Sequence, residues 1–92
     1  MMLAAIGNRI EQPTPEEIKA ARKHAGLTQA QAAQLISPAT SRGSYRTWQA
    51  YEVAAGKDEH NAIPLVVWEM FLLLTGQHPT MKLTRKRVPS TL

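Results

Sequence analysis

The stretch TPEEIKAARKHAGLTQAQAAQLI, residues 14–36, decides the fold. It contains two helix starts and two helix stops in close succession. Thr14 is placed to cap the first helix, Pro15 suits its first position, and Glu17 completes a Thr-x-x-Glu capping box. Ile18, Ala21 and Ala25 fall on one face, and Arg22, Lys23 and His24 load the last turn, where cations complement the helix dipole. Gly26 ends this helix, because glycine alone adopts the left-handed conformation of a C-terminal cap without penalty. Thr28 then caps a second helix and Gln31 completes a Thr-x-x-Gln box. Ala32, Leu35 and Ile36 are expected to form its buried stripe, and small residues at 30, 32 and 33 admit a close neighbour. Ser37-Pro38 stops it, since the residue before a proline avoids the helical region.

Outward from this pair the chain stays helical. Residues 39–43 read as a loop, and Ser44 is placed to cap a third helix running to about Ala54. Gly56 and the polar stretch from Lys57 to Asn61 form the next loop. Pro64 opens a fourth helix, LVVWEMFLLLT, which Gly76 closes. Residues 1–12 form an arm or a short helix, with no period to decide between them. Residues 77–92 read as a mobile basic tail. The division is therefore an arm over 1–12, a helical domain over 13–76 and a tail over 77–92. The fold class is all-α, a compact bundle of four to five helices.

The third helix carries the functional signal. At ~100° per residue, Trp48 and Tyr51 share a face, which is assigned to the core rather than to base stacking. Opposite them lie Arg46, Gln49, Ala50 and Val53. Arginine pairs with guanine and glutamine with adenine in the major groove, and small apolar residues touch the thymine methyl. Ser44, Tyr45 and Thr47 lie near the helix start, where hydroxyls and free N–H groups suit a phosphate.

The run RKHAGLTQAQAA, residues 22–33, followed by YRTWQAYE, residues 45–52, resembles the Xre/Cro-type helix-turn-helix family of phage and plasmid repressors. The Gly-Leu-Thr-Gln motif at 26–29 is its most specific part, and the likeness extends from Pro15 to about Gly76. With the last helix it is similar to a subgroup of very short mobile-element regulators, some of which accompany anti-CRISPR genes. The resemblance implies a lambda-repressor-like bundle with base contacts from Tyr45, Arg46 and Ala50, to which the helix geometry adds Gln49. It implies phosphate contacts from Thr28 and Gln29 at the second helix and from the loop after Gly56, with Lys57, His60 and Asn61 as candidates. It also implies an ion pair between Arg22 and Glu52. One departure is the turn over residues 37–43, several residues longer than the family's. It is either a solvent bulge or a carrier of Arg42 to the DNA backbone.

Composition narrows the alternatives. The chain has 92 residues and no cysteine, which excludes disulfides and cysteine-ligated zinc, and a reducing cytoplasm is the simplest setting. MMLAAIGNRI lacks the basic leader and apolar length of a signal peptide. The run from Ile63 to Leu74, interrupted by Glu69, falls short of the ~20 residues of a membrane helix. Of 11 Lys and Arg against 7 Asp and Glu, Lys82, Arg85, Lys86 and Arg87 account for the net +4. That cluster is either a phosphate clamp or a solubilising end. The three histidines have no metal spacing and are expected to be solvated. Glu16 and Glu17 serve the helix start. With no nucleophile elbow, phosphate loop or metal motif, the chain reads as non-enzymatic, without cofactor or small-molecule substrate.

The fourth helix is apolar nearly all round, so it needs cover on more than one side. Leu65, Trp68, Leu72 and Thr75 face the other helices. Val67, Met70, Phe71 and Leu74 then require either a second subunit or residues 1–6 folded back. A homodimer would set two reading helices ~34 Å apart on an inverted repeat. The sequence thus leads to a sequence-specific homodimeric repressor of double-stranded DNA. The alternatives are an antitoxin-like interaction module with secondary DNA binding, and an RNA-binding adaptor.

Overall fold

The computed structural model describes residues 4–36 and 42–84, with residues 42–44 by their backbone only. These residues form five helices and no strand: α1 (Ile6–Arg9), α2 (Pro15–His24), α3 (Gln29–Ile36), α4 (Arg42–Glu52) and α5 (Leu65–Leu74). No helix among them is long and apolar enough to cross a membrane.

The local signals of residues 14–36 act as read. The Thr14 hydroxyl accepts from the Glu17 N–H at 3.1 Å while the Glu17 carboxylate accepts from the Thr14 N–H at 2.8 Å. Thr28 and Gln31 repeat this exchange at 3.1 and 2.9 Å. Two orphan donors are satisfied at each start, and a cap of this kind stabilises by ~1 kcal/mol. At the end of α2, Gly26 has φ +73°. The Gly26 N–H bonds the Lys23 carbonyl and the Leu27 N–H bonds that of Arg22. Gly76, at φ +72°, closes α5 with the same pair of bonds, from Gly76 to Leu73 and from Gln77 to Leu72.

α4 packs on α2 and chiefly on α3, while α5 lies against α3 on one side and α1 on another. The core gathers Ile10, Ile18, Ala32, Ala33, Trp48, Tyr51, Ile63, Trp68, Phe71 and Leu72. Its centre is aromatic. Trp48 meets Phe71 at 4.9 Å between ring centroids, Phe71 stacks on Trp68 at 5.9 Å, and Tyr51 meets Trp48 edge-on at 5.8 Å. Burying rings of this size is the largest apolar contribution available to so small a chain.

Several expectations are corrected. Phe71, assigned to the second face of the last helix, is fully buried between the two tryptophans, and Val67 is half-buried against the same core. Leu35 is 40% exposed, and Ala33 takes the buried position instead. α4 begins at Arg42, so Ser44 lies within its first turn and is not the cap, and the helix ends at Glu52 rather than near Ala54. The turn reading over residues 37–41 lies outside the described residues.

The segments flanking the body are also more engaged than their composition suggests. α1 is a single turn with no side-chain cap. A helix this short does not persist alone. Tertiary contacts hold it: Ile6 and Ile10 against the core, and Arg9 on Glu69. At the other end the Gln77 amide donates to the Ala21 carbonyl at 3.0 Å. His78 is buried on Glu69, not solvated. The chain therefore stays attached to the body beyond residue 77, where the tail was expected to begin.

Candidate nucleic-acid interface

α4 divides into two faces. Trp48 and Tyr51, three apart, are 1% and 6% exposed and fix the helix in the core. Burial raises the Tyr51 phenol above its ordinary value of 10.0. On the far side Tyr45, Arg46 and Thr47 are exposed, and Gln49, Ala50 and Val53 are half-buried. Tyr45 and Arg46 make no side-chain hydrogen bond or ion pair with described residues. The Arg46 guanidinium therefore keeps its five donors for a partner.

The end of α4 is clamped by Glu52. Arg22 reaches its carboxylate through Nε to Oε2 at 2.6 Å and Nη2 to Oε1 at 3.1 Å. The indole N–H of Trp48 donates to Oε2 at 2.5 Å, and the Gln29 amide donates to Oε1 at 3.2 Å. Arg22 also donates through Nη1 to the Leu27 carbonyl in the turn between α2 and α3, at 2.9 Å. Burial pushes the Glu52 carboxyl up, but the hydrogen bonds from Arg22, Trp48 and Gln29 together outweigh it and hold it below the usual carboxylate range. One carboxylate thus joins α2, α3 and α4. The expected Arg22–Glu52 pair is present, and it is larger than a pair. The Trp48 donor was legible in principle. Trp48 and Glu52 are four apart on a helix, and a buried indole N–H requires an acceptor.

Past Glu52, the Asn61 N–H bonds the Ala50 carbonyl at 3.1 Å, which folds the loop against the end of α4. His60 Nδ1 lies 2.8 Å from the Val53 carbonyl, so that nitrogen carries a proton. Lys57 is exposed in the same loop.

The expected phosphate contacts fare differently from one another. Thr28 is exposed at the start of α3, and its hydroxyl oxygen accepts the capping bond while its O–H remains able to donate. Gln29 is half-buried with one amide N–H engaged by Glu52, which leaves its second amide N–H and its backbone N–H as donors. Thr47 is exposed. The side chains of Arg42 and Ser44 lie outside the described residues, as do Arg85, Lys86 and Arg87 of the basic cluster; Lys82 is exposed.

On α5, Val66, Met70 and Leu74 are 66%, 45% and 41% exposed and succeed one another at four-residue spacing. Of the four positions expected there, Met70 and Leu74 lie on this open stripe, while Val67 and Phe71 do not. Across protein-family models, curated proteins and solved structures, nothing matches this chain.

Proposed function

We propose that this protein binds double-stranded DNA sequence-specifically, with α4 in the major groove as the reading helix of a helix-turn-helix formed by α3 and α4, and that it represses transcription as a homodimer. The observation that carries the reading is α4 itself. It is held from behind by Trp48 and Tyr51 and from its end by Glu52, while Arg46 stands exposed without a partner among the described residues. A guanidinium on a fixed helix is suited to bidentate readout of guanine, with Gln49 suited to adenine and Tyr45 and Ala50 flanking them. A rigid support matters because a base contact is lost when its geometry is loose. Thr28, the start of α3, Thr47 and Lys57 supply phosphate contacts in this reading, with Arg42 and Ser44 beside them.

The dimer rests on the α5 stripe of Val66, Met70 and Leu74, whose self-association would place two copies of α4 on an inverted repeat. Selection of bound duplexes from a random pool tests the whole proposal. A palindromic consensus supports it. Recovery of unselected sequence at every salt concentration would refute sequence-specific reading.

The same stripe favours a second reading, an antitoxin-like module that uses α5 to hold a different protein. Sedimentation separates the two. A monodisperse homodimer supports the first, and a monomer that binds no selected duplex favours the second.

A further inference from the structure

We infer that Glu69 couples the two ends of the described body, so that α1 and the turn over residues 77–81 dock on α5 as one unit. Glu69 is the single acid of α5, 7% exposed amid apolar residues. Arg9 grips it bidentately, Nε to Oε2 at 2.7 Å and Nη2 to Oε1 at 2.6 Å. From the other side His78 Nε2 reaches the same Oε2 at 2.9 Å. The far nitrogen, His78 Nδ1, receives two backbone N–H groups, Thr80 at 3.1 Å and Met81 at 3.0 Å. A nitrogen that accepts two N–H bonds carries no proton of its own, so the ring proton sits on Nε2 and is donated to Glu69. Arg9 Nη1 in turn donates to the Ala4 carbonyl, which holds the chain entering α1.

The bonds form one continuous line, from the Ala4 carbonyl through Arg9, Glu69 and His78 to the amides of residues 80 and 81. Each link fixes the orientation of the next. Arg9 sets the carboxylate plane, the carboxylate sets the imidazole, and the imidazole sets the turn. In a hydrogen-bonded chain of this kind the loss of one member weakens the rest beyond its own contact. The groove between these parts has Arg9 and Pro79 among its lining residues, with Trp68 and Leu72 of α5. The ends therefore meet over the same piece of α5.

The consequence reaches Lys82, which follows directly on the held turn and is the first cation of the basic cluster. While the clasp is closed, Lys82 leaves the body from a fixed point. When α1 lifts, that point is released as well. A link of this kind works equally in both directions. On the reading proposed above, the clasp makes the placement of Lys82 conditional on the docking of α1.

Amide hydrogen exchange on the full chain without DNA tests the coupling, so its outcome is independent of whether the protein binds DNA. Arg9→Met removes the guanidinium, whose hydrogen bonds go to Glu69 and the Ala4 carbonyl and not to residues 80 or 81. It should speed exchange at the Thr80 and Met81 amides by about tenfold, with the Ile18 amide in the core unchanged. Reciprocally, His78→Ala should speed exchange at the Asn8 amide of α1 and at the Ile10 amide that follows it. Arg9→Lys, which keeps the charge but not the bidentate grip, should fall between wild type and Arg9→Met. Unchanged exchange at Thr80 and Met81 in Arg9→Met would show that the ends dock independently. Equal acceleration at Thr80, Met81 and Ile18 would show that the whole fold loosened, and would equally overturn the inference.

Discussion

Glu52 and Glu69 are each held by an arginine through two hydrogen bonds and by a ring N–H, from Trp48 in one case and His78 in the other. The partners of Glu52 all come from α2, α3 and α4, the three helices that pack around Trp48. Those of Glu69 come from α1 and from the chain after α5, segments that no local signal marks as structured. The first cluster sets the angle of a helix inside the body. The second ties loose ends to the outside of it. An acid of the same type therefore works as a brace or as a clasp according to where its donors lie in the chain.

The largest effect is expected on the brace. Glu52→Ala leaves the buried Arg22 beside the orphaned indole N–H and should destabilise by about 3 kcal/mol. Urea denaturation measures it. A loss under about 1 kcal/mol would make the cluster an ordinary screened surface pair. Trp48→Phe, which keeps an aromatic ring but removes the pyrrole ring together with the donor to Glu52, should cost at least about 2 kcal/mol by the same measurement. A neutral effect would mean that Glu52 is satisfied by Arg22 and Gln29 alone.

Acid sharpens the comparison. Hydrogen bonds from Arg9 and then from His78 hold the Glu69 carboxyl at about 2, against an ordinary 4.5, despite the opposing effect of burial. A group with a depressed folded-state value stabilises fully above its unfolded value and loses that contribution as pH falls through the folded one. The Arg9 grip on the Glu69 carboxylate should thus hold above pH 4.5 and weaken as pH falls toward about 2. The carboxyl carbon shift of Glu69, followed by NMR through acid titration, should move only near the bottom of that range. A midpoint at 4.5 would show that Arg9 and His78 do not grip it.

The same division explains what was legible in the sequence. Capping boxes and glycine stops are local, and they fixed α2, α3 and the end of α5 without knowledge of the fold. The inward face of α4 was legible because Trp48 and Tyr51 are large and three apart. α1 and the 77–81 turn were not, since their order depends on Glu69 about sixty residues from Arg9 in the chain. An isolated acid in an apolar helix was the available signal, because such a group must find a cation. Phe71 was misassigned for a related reason. In a helix apolar all round, periodicity cannot say which face meets the core. Leu35 was misplaced because size was read as burial, whereas Ala32 and Ala33 take the buried positions of α3. A small effect follows: Leu35→Ala should cost under about 1 kcal/mol in urea, well below a buried leucine, and a loss of 2 kcal/mol or more would return Leu35 to the core.

The proposal for α4 rests most heavily on Arg46, and its replacement is the most direct test. Affinity of wild type and Arg46→Ala is to be compared on the duplex recovered by selection and on duplex of random sequence, at one fixed salt concentration. Base readout predicts a loss of about 1–3 kcal/mol on the selected duplex and little change on the random one. An equal loss on both would make Arg46 a phosphate contact, and no loss on either would remove α4 from the groove.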